Sequence, residues 1–139
     1  MEITANAVQT IAANQNVIFT ETPIRGNCSI IHREGSGLVT LRGITDQCRA
    51  RFRVSFGANV AIPTGGAVVP IELAIAINGE AISPATMIST PAAVANFNNV
   101  YTSIFLDVPA GCCYTISVAN IGADAIEVEN ANLIVERVA

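Results

Sequence analysis

Between Val100 and Arg137 apolar and polar residues alternate through three consecutive stretches, and this pattern constrains the fold more than anything else in the chain. In the first stretch Val100, Thr102, Ile104, Leu106 and Val108 fall on one face, and Tyr101, Ser103, Phe105 and Asp107 on the other. A period of two marks a half-buried strand. Pro109-Ala110-Gly111 ends it with turn residues. A second strand then turns Tyr114, Ile116 and Val118 inward, and Asn120-Ile121-Gly122 reverses the chain again. The third begins with Ile126 and Val128 inward but continues with Ala131, Leu133 and Val135 inward. That change of parity near Glu129-Asn130 requires an inserted bulge residue. Three long strands in a row imply an all-β sandwich or barrel.

The preceding residues read the same way. Val8–Ile11 is a short strand, with a short helix over 5–13 as the alternative because alanine favours it. Ala13–Asn16 turns into Val17-Ile18-Phe19, and Thr22-Pro23 is a break. Ser29–His32 and Leu38–Leu41 are strands around the tight loop Glu34–Gly37. Arg49–Ile62 is long, with Phe52, Val54 and Phe56 on one face and Arg49, Arg51, Arg53 and Ser55 on the other. Ile71, Leu73, Ile75 and Ile77 alternate up to Asn78-Gly79, the dipeptide that favours a type I′ hairpin. Pro84 interrupts the return strand, and residues 92–99 form a polar connection with room for a helical turn. Eight to ten strands follow from this, in one domain, with no repeat.

Charged residues make up 13% of the 139, against about a quarter in an ordinary soluble domain. So little surface charge motivates an obligate oligomer. All seven basic residues are arginine, and the net charge of −4 disfavours nucleic acid. No apolar run approaches the roughly 20 residues that span a bilayer, so no membrane association is expected. The N-terminus has neither the basic nor the apolar region of a secretory signal.

Candidate sites are few. Cys28, Cys48, Cys112 and Cys113 lack the chelating spacing of a zinc site, and adjacent strand residues point to opposite faces. A disulfide from Cys28 is possible; free thiols, buried or at turn ends, are favoured without a secretion signal. A triad of a cysteine, His32 and Asp46 is conceivable, but His32 fits better at a strand end making hydrogen bonds. The Gly-x-Gly after it lacks the lysine and helix of a phosphate loop. Neither catalytic residues, metal nor cofactor are expected.

Strand count and turn placement resemble the jelly roll of tumour necrosis factor and the globular heads of complement subcomponents. The stretches TIAANQNVIFTETPI, RFRVSFGANVAI, IELAIAINGEAI and ANLIVERVA resemble that family's first strand, central strand, Asn-Gly-Glu hairpin and closing strand. Over nearly the whole chain the likeness is greatest to small proteins encoded by phages and prophages of Gram-positive gut bacteria. In those, a stretch like IIHREGSGLVTLRG precedes the roll and one like CCYTISV lies near the end.

The resemblance implies a homotrimer whose axis is lined by the outer face of one sheet. By that analogy Arg49, Arg51 and Arg53 lie beside Glu127, Glu129, Glu136 and Asp107, with Tyr101 and Phe105 on the same face. Three like charges on one strand face repel unless paired, and arginine suits bidentate pairing. A solvated monomer face and an anion-binding patch remain the alternatives. The implied role is a virion structural protein, a head-decoration or fibre-tip subunit, assembled in the bacterial cytoplasm and released by lysis. Residues 1–16 would be an arm attaching it to a capsid or fibre protein, with the roll over 17–139. The competing expectation is a module binding surface glycans or a receptor, since jelly rolls are also lectins. Against it, the chain has no Trp and two Tyr.

Overall fold

The computed structural model describes residues 1–111 and 113–139. Among the described residues there are eleven strands: β1 (Glu2–Ala5), β2 (Gln9–Ile11), β3 (Glu21–Ile24), β4 (Ile30–His32), β5 (Val39–Arg42), β6 (Arg49–Ala61), β7 (Ile71–Ile77), β8 (Glu80–Ser89), β9 (Asn98–Pro109), β10 (Cys113–Asn120) and β11 (Ile126–Arg137). They form two antiparallel sheets packed as a jelly-roll sandwich. One runs β3-β1-β11-β6-β9, with β2 also on β11; the other runs β4-β5-β10-β7-β8. We call them the terminal and the inner sheet, because the first holds both ends of the chain. Among the described residues no helix is long and apolar enough to cross a membrane.

The period-two pattern places the core as expected. Phe52, Val54 and Phe56 of β6, Leu133 and Val135 of β11, and Leu73, Ile75, Ile116 and Val118 of the inner sheet are all buried. Phe19 joins them, its ring edge-on to Phe56 at 6.2 Å between centroids, a favoured aromatic geometry. The parity change in β11 is a bulge: the β6–β11 register shifts between Glu129 and Asn132, and Asn130 takes φ +55°. Asn78 (φ +52°) and Gly79 (φ +85°) close a two-residue hairpin between β7 and β8, as a type I′ turn demands.

Several expectations are corrected. Residues 1–16 are no free arm. β1 pairs with β11 and β3, β2 pairs with β11, and Ile3, Ala5 and Ile11 are in the core. Their few apolar side chains alternate correctly with the polar ones, so a segment of low average hydropathy still has a buried face. Asn120, fully buried, anchors this segment by donating from Nδ2 to the Ile11 carbonyl (3.1 Å) while its Oδ1 accepts from Gly122 N–H. Thr22-Pro23 falls inside β3, which pairs only with β1; an edge strand tolerates proline because its outer side needs no ladder hydrogen bond. The IIHREGSGLVTLRG stretch does not precede the roll but supplies β4 and β5 of it. Pro84 lies within β8, where the register with β7 shifts.

Candidate functional site

The outward face of β6 and β9 carries most of the predicted interface residues. The two strands pair over their whole lengths, with Arg49 opposite Pro109, Arg51 opposite Asp107, Arg53 opposite Phe105, Ser55 opposite Ser103 and Gly57 opposite Tyr101. Directly opposed side chains on one face lie within contact distance, so the register fixes which charges meet. Asp107 receives both neighbouring arginines. Arg51 grips it through Nε (2.8 Å) and Nη2 (3.1 Å), and Arg49 Nε lies 3.1 Å away. The Arg51 hydrogen bonds, with the charges of Arg51 and Arg49 adding to them, hold the Asp107 carboxyl below its ordinary range, and the Arg51 guanidinium is held above its own. Arg53 pairs across the other side with Glu136 of β11 at 2.6 Å.

Glu127 and Glu129 do not take part. They stand opposite Ala61 and Asn59, at the far end of β6 from the arginines. A strand of this length separates its two ends by tens of ångströms, and the register leaves only Glu136 beside Arg53. The expected three-carboxylate neighbourhood on β11 therefore reduces to one.

Between these charged rungs and the asparagines Asn59 and Asn99 lies an uncovered aromatic strip. Tyr101 is 65% and Phe105 67% exposed. The Tyr101 ring faces Gly57, where an added Cβ would stand 3.5 Å from its Cδ2. Ser55 and Ser103 satisfy each other at 2.8 Å between them, and Ile134 of β11 continues the apolar surface. Two large exposed aromatics spaced four residues apart on one strand are unusual for a face that meets only water.

The other candidates resolve differently. His32 Nε2 donates to the Ser36 carbonyl (2.9 Å), and its ring packs edge-on to Phe19. Its Nδ1 is buried without a partner. It bonds neither a cysteine nor Asp46, so no triad forms among the described residues. Cys28, Cys48 and Cys113 are free, at turn ends as expected but exposed rather than buried; Cys112 lies outside the described residues. No group of three or more His, Cys, Asp or Glu is placed to hold a metal ion among the described residues.

No protein-family model matches the chain, and no curated protein matches it by sequence. Solved structures do. The globular domain of zebrafish complement 1qA protein superposes with a TM-score of 0.64 at 11% identity, covering 96% of this chain and 93% of that one. A family 35 carbohydrate binding module from an environmental isolate reaches 0.42 at 12% identity over 100% and 98% of the two chains. The family 35 module of Abf62 from Cellvibrio japonicus reaches 0.41 at 10% over the same shares. Those two likenesses are too loose to bear on this chain. The first is a likeness of fold, and on it the chain is a two-sheet jelly roll of the complement 1q type.

Proposed function

We propose that this protein is a non-catalytic structural module that assembles as a homotrimer through the outer face of its terminal sheet, as a subunit of a phage virion. The observation that carries the self-association is the Tyr101–Phe105 strip, flanked by the Arg51–Asp107 and Arg53–Glu136 pairs. Apolar centre and polar rim are the anatomy of a protein interface. A second copy is the occupant favoured by charge: Arg49 and Arg51 share the single carboxylate of Asp107, which leaves one guanidinium charge to be matched across a contact. Low overall charge supports the same reading. The virion role, as head-decoration or fibre-tip subunit, rests on the resemblance in sequence described above. With residues 1–16 built into the roll, attachment to a capsid or fibre protein would fall to loops rather than to a free arm.

One observation favours a second reading, a glycan-binding module. Tyr101 and Phe105 are exposed on the outer surface of one sheet, and sugars stack on such rings.

Solution mass, by light scattering coupled to size exclusion, tests the assembly. The expected value is near three chains, falling to one chain in Tyr101→Asp/Phe105→Asp. The control Ile88→Asp, on the exposed outer side of β8 in the inner sheet, should leave the mass unchanged. A single-chain mass for the unaltered protein overturns the proposal. Retention on a glycan array that is lost in the Tyr101/Phe105 variant would move the aromatic strip to the second reading.

A further inference from the structure

All three described cysteines lie toward one end of the sandwich, Cys48 and Cys113 each beside an arginine. The turns that carry them are stitched together by backbone hydrogen bonds. Ala110 N–H donates to the Cys48 carbonyl (3.0 Å), Gly111 N–H to Gly43 (3.1 Å), and Arg42 N–H to Ser29 (2.8 Å). Arg42 and Cys113 are direct partners in the β5–β10 ladder, both exposed, so their side chains share the outward face. Cys48 precedes Arg49 and lines a hollow of about 310 Å³ with Gln47, Arg49, Arg51 and Ala139. Cys28 precedes Ser29, whose hydroxyl accepts from Arg137 Nη1 at 3.1 Å.

Around these turns stand Arg25, Arg42, Arg49, Arg51, Arg53 and Arg137; Asp107 is gripped by Arg49 and Arg51, Glu136 by Arg53, and Ala139 lines the Cys48 hollow. The chain as a whole carries −4. Cys113 therefore stands beside a guanidinium, Arg42, that has no carboxylate within ion-pair distance among the described residues, on a molecule of net negative charge.

A bridge between Cys28 and Cys113 does not explain the cluster. Ser29 and Cys113 flank Arg42 on opposite sides, so two strand spacings of about 4.8 Å separate them. A disulfide joins Cα atoms about 4.4–6.8 Å apart, so joining Cys28 to Cys113 would require the backbone to move.

We propose that this end of the molecule is a thiol-modification site selective for anionic disulfides of low molecular weight, the class to which oxidised glutathione belongs. A cysteine thiolate attacks one sulfur of the disulfide, its proton having passed to solvent. The protein–ligand S–S bond forms as the original S–S bond breaks, and the second half departs as a thiolate with the electron pair. The protein sulfur is oxidised and the departing sulfur reduced, so no further oxidant is needed. The neighbouring arginines raise the local concentration of the anion and hold its carboxylates. Cys113, on the inner sheet, lies off the proposed trimer face, whereas the Cys48 hollow shares Arg49 and Arg51 with it.

The test compares oxidised glutathione with cystamine, a cationic disulfide, on the reduced full-length protein, following adducts by intact mass and peptide mapping. Because the two reagents differ in intrinsic reactivity, the informative quantity is how their rate ratio changes with salt. From 1 M salt, where the Debye length is about 3 Å, to low ionic strength, the glutathione-to-cystamine ratio should rise about ten-fold at Cys28, Cys48 and Cys113. Arg42→Gln should reduce that rise at Cys113 and leave it at Cys48. A ratio that stays flat, or that falls as the overall charge of −4 alone would dictate, overturns the proposal. So does a non-reducing gel dominated by protein–protein disulfides.

Discussion

The two sheets differ in what their outer faces are made of and in which parts of the chain build them. The terminal sheet is assembled from both ends of the chain around the long strands β6, β9 and β11, and outward it shows arginines, carboxylates and two bare aromatics. The inner sheet holds neither end of the chain, and at its centre it shows outward Ala74, Ala76 and Ser117, buried despite facing away from the core. Leu38, Asn14 and Asn16 rim the shallow depression around Ala76 and Ser117. The centre of that face is small residues sealed by their own neighbours, with Ile31 and Ile88 exposed on its edge strands, whereas the terminal face leaves two aromatics, Tyr101 and Phe105, in water and gains by covering them. Two sheets with equally regular inward faces are thus free to diverge outward, because only the inward residues are committed to the core.

The largest effect that tests this contrast is truncation. Deleting residues 1–11 removes β1 and β2 and takes Ile3 and Ile11 out of the core. Each buried side chain of that size contributes about 1.5–3 kcal/mol, before the lost ladder hydrogen bonds are counted. The shortened chain should be largely unfolded at 25 °C, measured by denaturant titration. A cooperative transition of undiminished midpoint would show that the terminal sheet does not need its first strands.

A smaller effect compares one left-handed residue in each sheet. Asn130→Val in the β11 bulge puts a β-branched side chain at φ +55° and removes the acceptor of the Asn59 side chain; a loss of about 2 kcal/mol is expected. Gly79→Ala in the inner-sheet hairpin meets no atom within 4 Å and carries only the backbone strain of φ +85°, about 1 kcal/mol. Equal losses would mean that the bulge is no more constrained than the turn.

The smallest effect is that of pH on the terminal face. The folded Asp107 carboxyl titrates below its ordinary 3.8, chiefly through the Arg51 hydrogen bonds. A lowered carboxyl stabilises the folded state in full above that ordinary value, and the contribution is lost as pH falls through the lower, folded value. Carbon-detected NMR titration of the Asp107 carboxyl should show the depression, and Arg51→Gln should relax it toward 3.8. No displacement in the variant would mean that the bidentate contact is not what holds the carboxyl.

Much of this was legible in the residues. Val100–Val108 alternates as it packs, the parity change at Glu129-Asn130 is a bulge, and Asn78-Gly79 is a hairpin, because a two-residue period and a turn dipeptide are local and need no partner to be read. β1 and β3 were not legible: Glu2–Ala5 offers two buried side chains among polar ones, and Pro23 reads as a break until its strand is known to be an edge. The arginine face was half legible. Alternation alone put Arg49, Arg51 and Arg53 on one side of a strand with an outward Asp107 on another.

By itself, then, the sequence determined which residues of the long strands face inward, where the chain turns, and that an all-β sandwich or barrel must result, since each follows from backbone geometry over a few neighbouring residues. Only the tertiary structure decided which charges meet. Asp107 and Glu136 are engaged, and Glu127 and Glu129 are not, because register between distant strands is set by packing of the whole core. It alone decided, too, that cysteines at positions 28, 48 and 113 gather among arginines at one end, because chain closure brings together turns that are far apart along the chain.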